Sequence, residues 1–253
     1  MTITILGSGT SGGIPMIGCP CEVCKSPDSR DKRLRSSISI EINNQTLVID
    51  AGPDFRQQML RAEIDRLDAI LFTHAHRDHT AGLDDIRAYN FFMKQPMAIY
   101  ATEETQRSLQ LEYHYAFADQ YYPGLPEFKF FTFQNQPFYI GDVRIIPVEV
   151  MHYKMKVYGF RINNFTYITD ANMIAHDEME KIKGSKVLIL NALRKEAHIS
   201  HFNLQEALDL IAEIKPEKAY LTHLSHQMGK HADIERELPD GVMLGFDGLR
   251  LEL

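Results

Sequence analysis

Residues 67–79 read Leu67-Asp-Ala-Ile-Leu-Phe-Thr73-His74-Ala-His76-Arg-Asp78-His79. Positions 67–73 form an apolar run of the length and composition of a buried strand. Three imidazoles and a carboxylate then follow within 74–79, where that strand gives way to a loop. A solvated loop has no reason to gather so many titratable groups, whereas imidazole with carboxylate suits zinc, manganese or iron. His74 and His76 are two apart, so on an extended segment they face one side. Asp78 continues that spacing, and His79 follows as the chain turns. One ion would take His74 and His76 and a second Asp78 and His79, each needing further ligands from elsewhere.

Working outward, candidates for those ligands stand at other strand ends. His152 follows the run Val143–Val150, Asp170 closes Phe165–Thr169, and His223 follows Lys218–Thr222. A strand tip is a rigid place from which to aim a ligand. Further β-branched runs at Thr2–Leu6, Ser37–Ile42, Thr46–Asp50, Ala69–Thr73, Met97–Tyr100, Val157–Ile162, Lys186–Leu190 and Leu249–Leu253 also read as strands. Helical spacing marks Phe55–Ala62, Glu103–Leu111, Asp177–Ile182, Asn203–Ile214 and His231–Glu237, with Asn203 and Glu206 placed as a capping box. Strands dominate both halves with helices interleaved, which predicts an α/β architecture of two packed sheets flanked by helices. No linker-like stretch interrupts 1–253, so a single domain is expected. The stretch 107–137 is rich in aromatics and reads equally as a lid, a dimer surface or core packing.

The chain has 253 residues, 44% hydrophobic and 24% charged, with a net charge of −7. That balance supports a core of normal size and argues against a broad electrostatic hold on nucleic-acid backbone. No apolar stretch is long enough to span a bilayer. The start, Met-Thr-Ile-Thr-Ile-Leu-Gly, lacks the features of a signal peptide, so a cytoplasmic location is expected. Cys19, Cys21 and Cys24 are an odd number crowded together, a poor disulfide framework but a compact set of thiolates for a metal. Spacing supplies three ligands of a tetrahedral site, and His226 in Leu221-Thr-His-Leu-Ser-His-Gln227 is a candidate fourth, giving a closed Cys₃His structural zinc.

His74-x-His76-x-Asp78-His79 after a strand, with Asp50 ending an earlier one in Leu47-Val-Ile-Asp-Ala-Gly52, resembles the metallo-β-lactamase superfamily over essentially the whole chain. The resemblance implies a four-layer αββα sandwich with two divalent ions, zinc or manganese, at one edge between the sheets. It implies that His74, His76 and His152 hold the first ion, that Asp78, His79 and His223 hold the second, and that Asp170 bridges both. Asp50 would orient the His-rich loop by hydrogen bonds. Gly18-Cys-Pro-Cys-Glu-Val-Cys24, the 221–227 segment and Gly245-Phe-Asp-Gly248 are similar to the PhnP-like phosphoribosyl 1,2-cyclic phosphate phosphodiesterases. That subfamily implies a structural zinc on Cys19, Cys21, Cys24 and His226. It also places His201 beside the substrate phosphate as general acid or phosphate binder, with His198 as a nearby rival. Residues 86–137 do not align with its pattern. His114, His176 and His231 are expected on the surface.

The expected activity is therefore metal-dependent hydrolysis of a small cyclic phosphate or related phosphodiester, with Asp78 and His201 in the catalytic set. The expected partners are that substrate and, through the aromatic stretch, a second copy in a homodimer, with neither membrane nor nucleic acid. A tRNA 3′-end endoribonuclease is the alternative, since Gly7-Ser-Gly-Thr-Ser-Gly-Gly-Ile-Pro15 resembles its opening motif. A non-enzymatic metal-binding protein is the other.

Overall fold

A computed structural model describes residues 1–118 and 123–253. The first sheet is built from β1 (Thr2–Gly7), β2 (Ser37–Ile42), β3 (Gln45–Ile49), β4 (Ala69–Leu71), β5 (Met97–Ala101) and β6 (Phe128–Thr132). The second holds β7 (Phe138–Ile140), β8 (Val143–His152), β9 (Met155–Ile162), β10 (Phe165–Ile168), β11 (Met173–Ile174), β12 (Val187–Asn191), β13 (Lys218–Thr222) and β14 (Val242–Leu244). Strand β15 (Arg250–Glu252) returns to the first sheet, whose order is β15-β1-β2-β3-β4-β5-β6; the second runs β11-β8-β9-β10-β12-β13-β14, with β7 on β8.

Helices pack outside the sheets: α1 (Phe55–Arg61), α2 (Arg77–Thr80), α3 (Arg87–Met93), α4 (Glu103–Glu112), α5 (His176–Ile182), α6 (Leu204–Ile214) and α7 (His231–Ile234). They are required by the pairing. Strands β3 to β6 run parallel, as do β10, β12, β13 and β14, and parallel neighbours need crossover connections. The period-2 alternation then sorts the core into three layers. Leu47, Ile49, Tyr167 and Ile189 point between the sheets. Val48 and Ile70 face α1 and its neighbours, while Leu188 and Leu190 face α6. Strands covered on both faces read as continuous apolar runs, which is why β4, β10 and β12 stand out in sequence. The result is the expected αββα sandwich.

Helix α6 begins as the sequence predicts. Glu206 N–H donates to Asn203 Oδ1 at 2.9 Å, and Asn203 N–H donates to the Glu206 carboxylate at 2.9 Å. Asn203→Ala is expected to cost about 1 kcal/mol, a fall in Tm of roughly 3 °C in a calorimetric scan.

Other elements differ from the sequence reading. Helix α3 was not expected: Tyr89 is its one buried residue and Phe91 and Phe92 lie exposed, so no apolar stripe marks it. The 231–237 helix ends at Ile234. Within the aromatic stretch, Phe128–Thr132 is an edge strand, Tyr113 and Phe133 are buried, and Phe117 stacks on Phe128 and Phe130 at 5.5 and 5.7 Å. Tyr121 and Tyr122 lie outside the described residues.

His114 and His176 are on the surface, but His231 is not: it is 2% exposed. Its backbone N–H donates to Asp31 Oδ1 at 2.8 Å and its ring meets Phe246 edge-on, because α7 closes over the buried Arg33–Asp31 pair. Among the described residues no helix is long and apolar enough to cross a membrane.

Candidate metal centre

The site forms where β4, β8, β10 and β13 end at one edge of the sandwich. Asp50, Asp170 and His223 each leave their strand through a left-handed backbone conformation, with φ of 66°, 57° and 56°. Non-glycine residues seldom adopt it, although Asp and His tolerate it better than most, and such geometry concentrates at functional sites. The turn turns each side chain into the gap between the sheets.

Asp50 organises the His-rich segment from beneath. Its carboxylate accepts from Thr73 N–H and Thr73 Oγ–H, both at 2.9 Å, and from His79 Nδ1 at 2.7 Å. Close backbone packing reinforces this: Ala51 N–H donates to His79 O at 2.8 Å, and a Cβ on Gly52 would lie 2.0 Å from Asp78 O. Gly52→Ala is accordingly expected to destabilise the fold by roughly 1–3 kcal/mol as an overpacked contact, read as a lowered urea midpoint.

With Nδ1 committed to Asp50, His79 presents Nε2 to the site. That atom is buried without a hydrogen-bond partner, yet stands 3.2 Å from both Asp78 Oδ2 and Asp170 Oδ2. His223 Nδ1 is also 3.2 Å from Asp170 Oδ2. The ligand atoms of Asp78, His79, Asp170 and His223 all lie within 4.8 Å of one another. Burial disfavours a charged His79, but the Asp170 and Asp50 carboxylates outweigh it and hold the imidazole well above its ordinary range. Likewise burial opposes ionisation of Asp170, while His223 and His79 hold its carboxyl well below the usual value. Two carboxylates and two imidazoles converging on one point are the arrangement a cation completes, displacing the proton that the carboxylates otherwise hold on His79.

The expected first-ion ligands are neighbours on the other side of His79. Ring centroids of His74 and His76 are 4.6 Å apart, those of His76 and His152 5.2 Å, and those of His74 and His152 5.9 Å. His74 Nε2 is buried and unpartnered. His152 Nδ1 donates to Ser200 O at 2.8 Å, leaving Nε2 as the acceptor. Burial pushes His74 well down, aided by His79, and pushes His76 down, aided by His152; neutral imidazoles are the form that binds metal.

His201 lies closer in than expected. Its Nδ1 is 3.8 Å from Asp170 Oδ1, and it forms a second compact ligand group with His152 and Asp170. Burial, then His223, lower its pKa to about 3. Two residues missed in sequence complete the surroundings: Thr10 Oγ1 and Ser36 Oγ sit 3.1 and 3.2 Å from the two nitrogens of His223. The glycine-rich setting of Thr10 was a signal; nothing local marked Ser36.

Away from this edge, Cys19, Cys21, Cys24 and His226 converge within 4.8 Å, with His226 Nδ1 3.2 and 3.3 Å from the Cys19 and Cys21 sulfurs. The Cys24 N–H, then His226, lower the Cys21 thiol to about 6, while burial raises Cys24 to about 11. Three sulfurs and one imidazole nitrogen fit a tetrahedral zinc. The ligand candidates His223 and His226 share one turn after β13.

The family described as "Beta-lactamase superfamily domain" matches residues 45–224. The chain is 39% identical over 252 residues to the octanoyltransferase of Porphyromonas gingivalis, covering 98% of this chain and 51% of that one, so it spans about half that relative's length. A crystal structure of a new diphosphatase from the PhnP family superposes with a TM-score of 0.93 and 37% identity, covering 100% of this chain and 97% of the other. Zn²⁺-bound PqqB from Methylobacterium extorquens, 20% identical over the full length of both chains with a TM-score of 0.79, shares the fold. The domain match, the sandwich and the buried His/Asp cluster at its edge agree: the chain belongs to the metallo-β-lactamase superfamily of metal-dependent hydrolases.

Proposed function

We propose that this protein is a binuclear metal-dependent phosphodiesterase acting on a small cyclic phosphate or related phosphodiester. The observation that carries the reading is Asp170, one carboxylate set between His79 and His223 with His201 on its other oxygen. In this reading His74, His76 and His152 hold one ion, Asp78, His79 and His223 a second, and Asp170 bridges them. Nitrogen and oxygen donors with two carboxylates suit zinc or manganese. Such a pair, when bound, makes hydroxide available near neutral pH and offsets charge on the attacked phosphorus. The chain's own residues do the rest. Asp50 holds the His79 tautomer, Ser200 that of His152, and His201 meets the substrate phosphate or the leaving oxygen. Cys19, Cys21, Cys24 and His226 hold a separate structural zinc.

Likeness to the PhnP-family diphosphatase across the whole chain supports phosphoester or phosphoanhydride chemistry. The octanoyltransferase likeness covers half of that protein, so acyl transfer is carried here only as a competing substrate class. The net charge of −7 weighs against a tRNA substrate. The test is metal analysis with a substrate panel on manganese- or zinc-loaded protein: bis(p-nitrophenyl) phosphate, cyclic nucleotides, a diphosphate, a precursor tRNA and an octanoyl thioester. Hydrolysis of the small phosphate esters with about three metals per chain is expected. Turnover of the tRNA or thioester alone, or of nothing, overturns the reading.

A further inference from the structure

Asp247 lies in the Gly245-Phe-Asp-Gly248 turn, a stretch that the proposed chemistry leaves without a role. The turn is fixed at both ends: Gly245 N–H donates to Leu221 O and Gly248 N–H donates to Ile5 O, both at 2.8 Å. Between them the Asp247 side chain is 3% exposed, and its two oxygens divide their partners. Oδ1 accepts from Ser8 N–H at 2.9 Å and from Ser8 Oγ–H at 2.8 Å. Oδ2 accepts from Leu34 N–H at 2.8 Å and from Arg61 Nη1 at 3.2 Å. None of these partners is a proposed metal ligand. A buried carboxylate is costly unless its oxygens are satisfied, and donors on both oxygens satisfy this one.

Each oxygen therefore fixes a different segment, and the two segments meet at one ring. Two residues beyond Ser8, Thr10 Oγ1 stands 3.1 Å from His223 Nε2. Two residues beyond Leu34, Ser36 Oγ stands 3.2 Å from His223 Nδ1. Cross-links keep the segments in register. Gly9 N–H donates to Leu34 O at 2.7 Å, and Ser36 Oγ–H donates to Gly9 O at 3.0 Å. Leu224, next to His223, donates its N–H to Ser8 O at 2.9 Å and accepts from Thr10 N–H at 3.1 Å. A hydroxyl thus faces each nitrogen of the His223 ring. Whichever nitrogen is given to an ion, the other keeps a partner that sets the rotation of the ring.

We propose that Asp247 is a positioning residue for the metal centre: by clamping the segments of Ser8 and Leu34 it holds the two hydroxyls that orient His223, and so raises affinity for the ion that His223 ligates. This rests on the metal-site reading above and adds to it a residue that touches no ligand. Asparagine at 247 keeps the shape of the side chain, but its amide nitrogen cannot accept, so either Ser8 or Leu34 loses its anchor.

The experiment titrates the metal-free full chain with Co²⁺ alone and follows its spectrum. Thiolate-to-cobalt charge transfer reports the cysteine cluster, and the weaker d–d bands of nitrogen- and oxygen-bound cobalt report the sheet edge. Asp247→Asn is expected to weaken one ion at the edge by about tenfold or more, the usual scale for a group that orients a ligand. Binding at the cysteines should change by less than about threefold, within the range of one weak hydrogen bond. A second background separates positioning from general loosening. In Thr10→Ala/Ser36→Ala, which already lacks both hydroxyls, Asp247→Asn should cost the edge ion less than about threefold more while lowering Tm as much as it does in the wild type. Unchanged affinity at the edge, equal weakening at the cysteines, or the full loss repeated in that background overturns the proposal and leaves the metal-site reading standing. If Asp247→Asn does not fold, Ser8→Ala removes a single donor from Oδ1; a loss of about threefold at the edge is then expected, and no loss overturns the clamp. A wild type that binds cobalt only at the cysteines overturns the metal-site reading and the clamp together.

Discussion

Asp170→Asn is expected to lower kcat on bis(p-nitrophenyl) phosphate by roughly three orders of magnitude while leaving the fold intact. The carboxylate belongs to both ligand groups: it is 3.2 Å from His79 Nε2 and 3.2 Å from His223 Nδ1, and it clusters with His152 as well. An amide keeps the shape but loses the charge, and with it the oxygen that bridges the proposed ions. A loss of about 4 kcal/mol of transition-state stabilisation, a usual scale for metal-assisted chemistry, corresponds to that factor. Asparagine is the informative choice because position 170 has φ of 57°, which Asn tolerates as Asp does, whereas a branched replacement would add backbone strain. Metal content should fall by about one ion per chain, with far-UV circular dichroism unchanged. Activity retained within tenfold would remove Asp170 from the bridging role.

Cys21→Ser should act in the opposite manner, on stability before chemistry. The Cys21 sulfur sits 3.3 Å from His226 Nδ1 and accepts the Cys24 N–H at 3.4 Å. A hydroxyl is a poor zinc ligand beside two thiolates, so the variant should lose one zinc per chain. Because metal affinity at such a site is folding free energy, a cost on the order of 3–5 kcal/mol is expected, or roughly 10 °C in Tm. Some activity should survive, because none of Cys19, Cys21, Cys24 and His226 belongs to the ligand groups that gather around Asp170. Unchanged zinc content and Tm would refute a metal at the cysteines.

The legible parts of this molecule were those with a local cause. The capping box of α6 and the buried strands β4, β10 and β12 follow from neighbouring residues alone, and so does the His-rich segment. The misread parts had no local cause. Helix α3 buries little more than Tyr89, so its periodicity is silent. His231 looks like any polar helix residue until Asp31 and Phe246 arrive from the two ends of the chain to enclose it. Ser36 touches His223 across 187 positions, and no pattern in sequence marks it.

By itself, then, the sequence determined the chemistry on offer: imidazoles and carboxylates at strand tips, thiols in one loop, and alternating apolar runs that require two sheets. Tertiary structure decided which of these meet. It set Asp170 between His79 and His223, brought His201 against that carboxylate, and set the His198 ring 5.2 Å from that of His201. The physical reason is that strand periodicity is encoded over a few residues, whereas a ligand cluster depends on register between strands far apart in the chain and on three left-handed turns that aim Asp50, Asp170 and His223 into a single gap.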